Sequence, residues 1–311
     1  MRASTLAWIW IAQGIGGSTP ALTKLALAGL GPFGLVVTRQ LLGALVLLAL
    51  ARLGGRARGG GPAPRDPAWT RRDWALLLTL SWAGFALPQL LGALGLTLSS
   101  ATHGALLSPL EPIGILVGAA LVLREPLALA HGVAVALGLV GTVLIVWPGA
   151  TEGSGLASRG DSLRGDLVMA AGHLCWAIYT LAAKPLVARH DPLLVAMRAG
   201  LLSVVPLLPF ALAEPFSLAR ALPSLGWVLL LALLASCLAT VAWNRALREV
   251  SAATMAAFVF VQPIVGLAIG AIGLGEPVGV AAIVGAALIA LGVAAASWAG
   301  ESTPPPALET P

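Results

Sequence analysis

Residues 99–147, SSATHGALLSPLEPIGILVGAALVLREPLALAHGVAVALGLVGTVLIVW, decide the fold, because the chain carries this stretch twice. Residues 250–298, VSAATMAAFVFVQPIVGLAIGAIGLGEPVGVAAIVGAALIALGVAAASW, align with it without a gap at a constant offset of 151. Ser100, Ala101, Pro112, Ile113, Leu116, Leu123, Glu125, Pro126, Gly141 and Trp147 then meet Ser251, Ala252, Pro263, Ile264, Leu267, Leu274, Glu276, Pro277, Gly292 and Trp298. Ala- and Leu-rich sequence produces chance matches, but it does not readily bring a Pro, a Glu-Pro pair and a Trp into one register. Upstream, Lys24 meets Lys184 and Pro32 meets Pro192 at offset 160. Arg39 meets Arg198 after one further gap, and Trp74 meets Trp227 at offset 153. The duplication covers nearly the whole chain.

The solvent of this repeat is lipid. Of 311 residues, 58% are hydrophobic and only 10% charged, against about 25% charged in a globular protein. So little charge cannot cover a water-facing surface, and the mean hydropathy of +0.94 agrees. A bilayer core takes about 20 mostly apolar residues per helix. Runs of that kind lie at 4–28, 32–52, 73–96, 99–123, 126–147, 166–189, 192–213, 224–247, 251–274 and 277–299. The second to fourth are the clearest. The first is the least apolar, because Gln13, Gly14, Gly16, Gly17, Ser18 and Pro20 interrupt it. Arg2 and the LAWIWIA behind it resemble a cleaved leader, but the apolar run continues to Lys24, so it reads as the first span. The Gly-, Pro- and Arg-rich residues 53–72 and the stretch 148–165 read as solvated loops. The Pro-rich tail after Ser302 reads as disordered. The expected organisation is a first repeat at 1–148, an extracytoplasmic linker at 149–165, a second repeat at 166–299 and a cytoplasmic tail at 300–311.

The net charge is +5, yet the basic residues form no patch with interleaved aromatics, so no nucleic-acid partner is expected. They read as topology signals. Eleven (Arg2, Arg52, Arg56, Arg58, Arg65, Arg71, Arg72, Arg124, Arg189, Arg245 and Arg248) lie before the first span or after even-numbered ones. Three (Arg159, Arg164 and Arg220) follow odd-numbered ones. The bias puts both termini and the 53–72 loop in the cytoplasm and the chain in the cytoplasmic (inner) membrane. Each half has an odd number of spans, so the halves cross the bilayer in opposite senses. The fold class is therefore an all-α membrane protein of ten transmembrane helices in two inverted five-helix repeats. Inverted repeats of this kind are a common device of secondary transporters.

The sequence resembles the drug/metabolite transporter superfamily, EamA type. The resemblance is carried by two copies of a Ser-Ala helix start, a mid-helix Pro and a terminal Glu-Pro: Ser100–Ala101, Pro112 and Glu125–Pro126, then Ser251–Ala252, Pro263 and Glu276–Pro277. GPFGLVVTRQLLGALVLL and DPLLVAMRAGLLSVVPLL resemble the family's second helix of each repeat, with a Pro start and an embedded Arg. It implies a central cavity lined by spans 1–4 and 6–9, peripheral spans 5 and 10, and secondary transport of small metabolites, often export of amino acids or toxic analogues. The triplets Leu123-Arg124-Glu125 and Leu274-Gly275-Glu276 differ at the middle position, where Gly is usual.

A charge inside the hydrocarbon costs roughly 2.5–3.5 kcal/mol on the insertion scale, so it needs a partner or a watery cavity. Glu111 lies about 12 residues, or about 18 Å, into the fourth span, between Pro109 and Pro112. It is a candidate to bind a substrate amino group or a coupling proton; equally, it can form a structural ion pair with Arg39, which lies at similar depth in the second span. In the second half Gln262 replaces Glu111, while Arg198 matches Arg39. Arg198 either faces a substrate carboxylate, which with Glu111 would suit a zwitterion, or snorkels to the interface. Gln13, Gln89, Trp82, His103, His173, Trp176, Tyr179, Trp243 and Asn244 complete the candidate substrate or proton site; the Trp and His residues are equally open to plain packing. Trp8, Trp74, Trp147, Trp227 and Trp298 fall near span ends, where such rings anchor. Glu125 and Glu276 suit helix N-termini, and Gly114 and Gly118 suit close helix approach.

An intramembrane enzyme would need a nucleophile–base pair or metal ligands within the spans. The sequence has no HExxH and no GxSxG, its four histidines are scattered, and Cys175 and Cys237 form no CxxC. No enzyme activity, metal or cofactor is expected. A membrane scaffold or sensor would usually carry a soluble output domain, and none is read in this sequence. A channel-like facilitator and a multidrug efflux carrier stay open as alternatives. The expected partners are a small-molecule substrate and the lipid bilayer, with a homodimer left open.

Overall fold

The structure, a computed structural model, describes residues 1–57, 66–99, 104, 107–152, 159–274 and 279–302. His103, Ser100–Ala101, Glu276–Pro277, the middle of the 149–165 linker and most of the tail lie outside them. The described residues form ten helices, counting through internal irregularities: α1 (Ala3–Leu27), α2 (Pro32–Ala57), α3 (Arg71–Leu98), α4 (Leu110–Leu121), α5 (Leu129–Glu152), α6 (Arg159–Arg189), α7 (Pro192–Val204, then the short Leu208–Ala213), α8 (Leu218–Glu249), α9 (Ala252–Val259 and Val261–Leu274) and α10 (Val280–Ser302). Six contain stretches long and apolar enough to cross a membrane, and Leu110–Leu121, Leu129–Ile145 and Pro192–Val204 are apolar but shorter. α6 and α8 begin before the expected 166 and 224, because hydropathy marks only the apolar part of a helix that runs on into water.

The helix starts follow local chemistry. Pro32 and Pro192 occupy first positions, where a missing N–H costs nothing. The Asp191 side chain caps α7 by accepting from Leu193 N at 2.8 Å. Thr70 and Asp73 close a reciprocal capping box on α3.

The ends of the bundle show the inversion. At one end Arg189 Nη1 meets Asp73 Oδ1 at 3.2 Å, and Ala252 N donates to Glu125 Oε1 at 3.1 Å. At another, Gly34 N donates to Glu214 Oε2 at 2.8 Å, and Ser99 Oγ to Asp166 Oδ1 at 2.6 Å. The first pair of contacts joins segments that follow even-numbered spans and the second joins segments that follow odd-numbered ones, as two halves of opposite sense require. Glu125 does cap a helix N-terminus, though not its own. Its carboxylate accepts from Ala252 N and Ala253 N of α9, in the other half.

Two helices expected to be continuous are broken, and at matching places. The regular part of α4 begins at Leu110, after a turn at Ser108–Pro109, instead of running through 99–123. α9 is interrupted at Phe260, the repeat mate of Pro109 at offset 151. The cause is Pro112 and Pro263. A proline removes a helix donor and its ring collides with the carbonyl four residues back, here residues 108 and 259. α3 and α8 also share an irregularity: a π-helical turn over Trp82–Ala86 and another over Ala232–Ala239. Offset 153 carries the first onto 235–239, inside the second.

Small residues set the close crossings. A Cβ on Gly141 would lie 2.5 Å from the Gly285 carbonyl oxygen, and one on Gly285 would lie 2.5 Å from that of Gly141, so α5 and α10 cross backbone to backbone. Gly114 and Gly118 bring α4 against Ala177 and Leu181 of α6.

Arg124 has φ 54, in the left-handed region that costs a residue with a Cβ about 1–2 kcal/mol. This gives the physical reason for a glycine at the middle of that triplet. Arg124→Gly is expected to stabilise the protein by about 1 kcal/mol, read as a higher thermal midpoint in detergent; an unchanged or lower midpoint would show that the arginine makes a compensating contact.

Candidate functional site: a polar cavity between the halves

A cavity of about 190 Å³ lies at the centre of the bundle, with walls from α1, α2, α3, α4, α6, α8 and α9. The Gly-rich part of α1 exists to make one wall. A Cβ on Gly16 would lie 2.9 Å from Gln262 Nε2, and one on Gly17 would lie 2.7 Å from the Gln262 carbonyl oxygen. The missing side chains let α9 approach closely enough for Gln262 Nε2 to donate to Gln13 Oε1 at 2.9 Å across the two halves.

The breaks in α4 and α9 place Glu111 and Gln262 in the first turns of Leu110–Leu121 and Val261–Leu274. Glu111 is therefore not a mid-helix residue, as counting from residue 99 suggests. It stands at a helix start inside the bundle, with its own N–H donating to the Ser108 carbonyl at 3.1 Å. Arg39 reaches the same cavity from α2. It is 5% exposed, and its Nε donates to Ser236 Oγ, in the π-helical turn of α8, at 3.2 Å. The ion pair between Arg39 and Glu111, one of the two readings the sequence left open, does not form among the described residues. The cavity thus holds one acid and one base that do not neutralise each other directly.

An aromatic wall faces this polar one. Phe85, Trp176 and Tyr179 contact one another with ring centroids 5.4–6.0 Å apart. Gly84 makes the wall possible: a Cβ there would lie 2.6 Å from Tyr179 Cα and N. Tyr179 is locked from behind, its hydroxyl donating to Asn244 Oδ1 at 2.9 Å. Asn244 in turn donates through Nδ2 to the Pro192 carbonyl at 3.4 Å. Phe85, Thr180 and Thr240 also line the cavity and were not read from the sequence. Phe85 sits four residues before Gln89, one turn away, and that spacing was the available signal.

Most telling are the polar atoms left over. Gln13 Nε2, both amide atoms of Gln89, His173 Nδ1 and Trp243 Nε1 are buried and have no hydrogen-bond partner among the described residues. All four residues line this one cavity. An unsatisfied buried polar group costs about 1–3 kcal/mol, so such a cluster is stable when polar guests fill the space.

Comparison with known proteins fits this arrangement. The profile of the EamA-like transporter family matches residues 4–147 and, a second time, 163–298. The chain belongs to the EamA-like transporter family. Among relatives, the uncharacterized transporter YyaM of Bacillus subtilis is 27% identical over 207 residues, 65% of this chain and 66% of YyaM, just under two thirds of that protein. A probable terminal-alkyne amino-acid exporter of Streptantibioticus cattleyicolor is 29% identical over 94% of this chain and 93% of its own length. A solved crystal structure superposes with a TM-score of 0.76 at 21% identity, over 97% of this chain and 100% of that one, which shows the shared fold.

Within this EamA-like transporter, the cavity gathers Gln13, Arg39, Gln89, Glu111, His173, Trp176, Tyr179, Trp243 and Gln262 from the sequence-derived set. Asn244 supports it from behind. Two expected members lie elsewhere. Trp82 is 44% exposed on the outside of α3, with Nε1 donating to the Leu202 carbonyl. In an unbroken α-helix it would share a face with Gln89, seven residues on; the π turn between them rotates it away. Arg198 is outside the cavity too. Its guanidinium lies 4.3 Å from the Trp69 ring centre, and Nη1 lies 3.9 Å from Asp66 Oδ2. Its acid comes from the loop before α3, which sequence depth arguments could not place.

Proposed function

We propose that this chain is a secondary transporter that exports a small amino-acid-like metabolite across the cytoplasmic membrane by alternating access, with both termini cytoplasmic and residues 1–148 and 166–299 as the two moving repeats. The observation that carries this reading is the cavity: unpaired buried polar atoms, and an acid and a base that make no ion pair with each other, beside an aromatic wall. A zwitterion suits it, with its amino group at Glu111 and its carboxylate at Arg39. A volume of about 190 Å³ falls below the 300–1,000 Å³ of drug-sized pockets, which favours a small metabolite over the bulky substrates of a multidrug carrier. The relative named as an amino-acid exporter supports the same class.

The test is counterflow in proteoliposomes preloaded with single unlabelled amino acids, with and without a pH gradient. The expected result is saturable accumulation of the labelled form of one small group of zwitterions. Flux that never saturates and shows no exchange would favour a channel-like facilitator instead. No flux of any amino acid, with uptake of cationic dyes, would favour multidrug efflux.

A further inference from the structure

Outside the cavity, a cluster of titratable groups joins the two halves at the end of the bundle where α3 begins and α6 ends. His190 has no exposed side-chain surface. Its Nδ1 lies 3.3 Å from Asp66 Oδ2, and its Nε2 lies 3.4 Å from Asp73 Oδ2, too poorly aligned for a hydrogen bond. Trp69 stacks on the imidazole at 3.9 Å and anchors Asp66 by donating from Nε1 to Oδ2 at 2.7 Å. Arg198 covers Trp69, and Arg189 holds Asp73. Asp191 N donates to Asp66 Oδ1 at 3.2 Å. Asp66, Trp69 and Asp73 belong to the first half; Arg189, His190, Asp191 and Arg198 belong to the second.

We propose that this cluster is a proton-controlled clasp that shuts the central cavity toward its end of the bundle: protonated His190 holds the halves together, and its deprotonation lets them part. The idea rests on the transport reading above, since inverted halves must move against each other to change access. Both ring nitrogens of His190 face carboxylates. Only the imidazolium has an N–H for each. A neutral ring turns one lone pair toward a carboxylate oxygen, and repulsion replaces attraction. The surrounding charges count the same way. Asp66, Asp73 and Asp191 stand against Arg189 and Arg198, so a protonated ring balances the cluster and a neutral one leaves an excess acid.

The clasp is also wired to the cavity. Tyr179 in the cavity wall bonds to Asn244, which bonds to the Pro192 carbonyl, one residue beyond Asp191. Parting the clasp pulls on the start of α7 and through it on the aromatic wall. The sign follows directly: the clasp is shut at low pH and releases as pH rises.

The experiment uses full-length protein in nanodiscs, with Cys175→Ser and Cys237→Ser, and spin labels at Ala68→Cys and Arg248→Cys, both exposed. Pulsed dipolar spectroscopy then reads the distance across the clasp. The expected result is a short-distance population at pH 5 and a growing longer one toward pH 8. With one linked proton the ratio changes by up to about 10-fold per pH unit. His190→Gln is expected to give one distribution at both pH values. Asp66→Asn, on the loop, is expected to move the midpoint to lower pH, which keeps the test open if the buried variant does not fold. A distribution that ignores pH, or a pH response kept in His190→Gln or unmoved in Asp66→Asn, would overturn the proposal. The measurement needs no substrate and no flux. An intact pH response in a protein that moves no solute would sink only the transport reading, and transport without a pH response would sink only the clasp.

Discussion

Glu111→Gln is expected to abolish transport while leaving the amount and monodispersity of folded protein unchanged. The substitution keeps shape and hydrogen-bonding capacity and removes one charge. Glu111 makes no ion pair among the described residues, so no partner is stranded when that charge goes. A purely structural role would therefore show almost nothing. If Glu111 binds a substrate ammonium or a coupling proton, the loss is a buried charge contact of about 2–5 kcal/mol, or at least about 30-fold in half-saturation or rate. Counterflow in proteoliposomes, with size-exclusion profiles alongside, checks both sides of this expectation. Normal kinetics in the variant would remove Glu111 from the mechanism. Arg39 makes a useful contrast, because its bond to Ser236 gives it a structural tie that Glu111 lacks.

Gly84→Val carries the largest expected cost to the fold. A Cβ at this position would lie 2.6 Å from two backbone atoms of Tyr179. Backbone cannot swing aside as a side-chain tip can, so α3 and α6 must separate. Overpacking of this sort costs about 1–3 kcal/mol and occasionally more, and a β-branched residue inside a π turn adds to it. The expected result is a thermal midpoint lowered by several degrees, or no recoverable folded protein. Gly92→Ala, on the same helix with open space around it, is the control and is expected to hold or raise the midpoint. Equal behaviour of the two variants would mean that the α3–α6 crossing is looser than the geometry shows.

Much of this architecture was legible in the sequence because it rests on counting. The duplication at offset 151, the odd number of spans per half and the bias of the basic residues fix an inverted pair of bundles, and intramembrane polar residues had nowhere to go but inward. Glu111, Arg39, Gln89 and Gln262 converge for that reason. What escaped reading depends on tertiary facts or on departures from α geometry. The π turns leave the apolar pattern unbroken, so nothing in the composition of 82–86 or 232–239 announces them, and the sequence left Trp82 open between the site and plain packing. The breaks at Pro109 and Phe260 were readable in principle, since Pro112 and Pro263 each forbid the carbonyl four residues back. Their consequence, a helix start beside Glu111, needed that inference to be drawn. Arg198 and Glu125 find partners in the opposite half, and no distance along one span reveals such a partner.

The account stands on two halves that cross the bilayer in opposite senses around a cavity closed to lipid. Single cysteines at Ala68, before α3, and at Phe216, between α7 and α8, test this most directly when labelled with a membrane-impermeant thiol reagent in intact cells, with Cys175 and Cys237 replaced. Both positions are exposed. The expected outcome is labelling at Phe216 in intact cells and at Ala68 only after the membrane is opened. Labelling of both from the same side would contradict it.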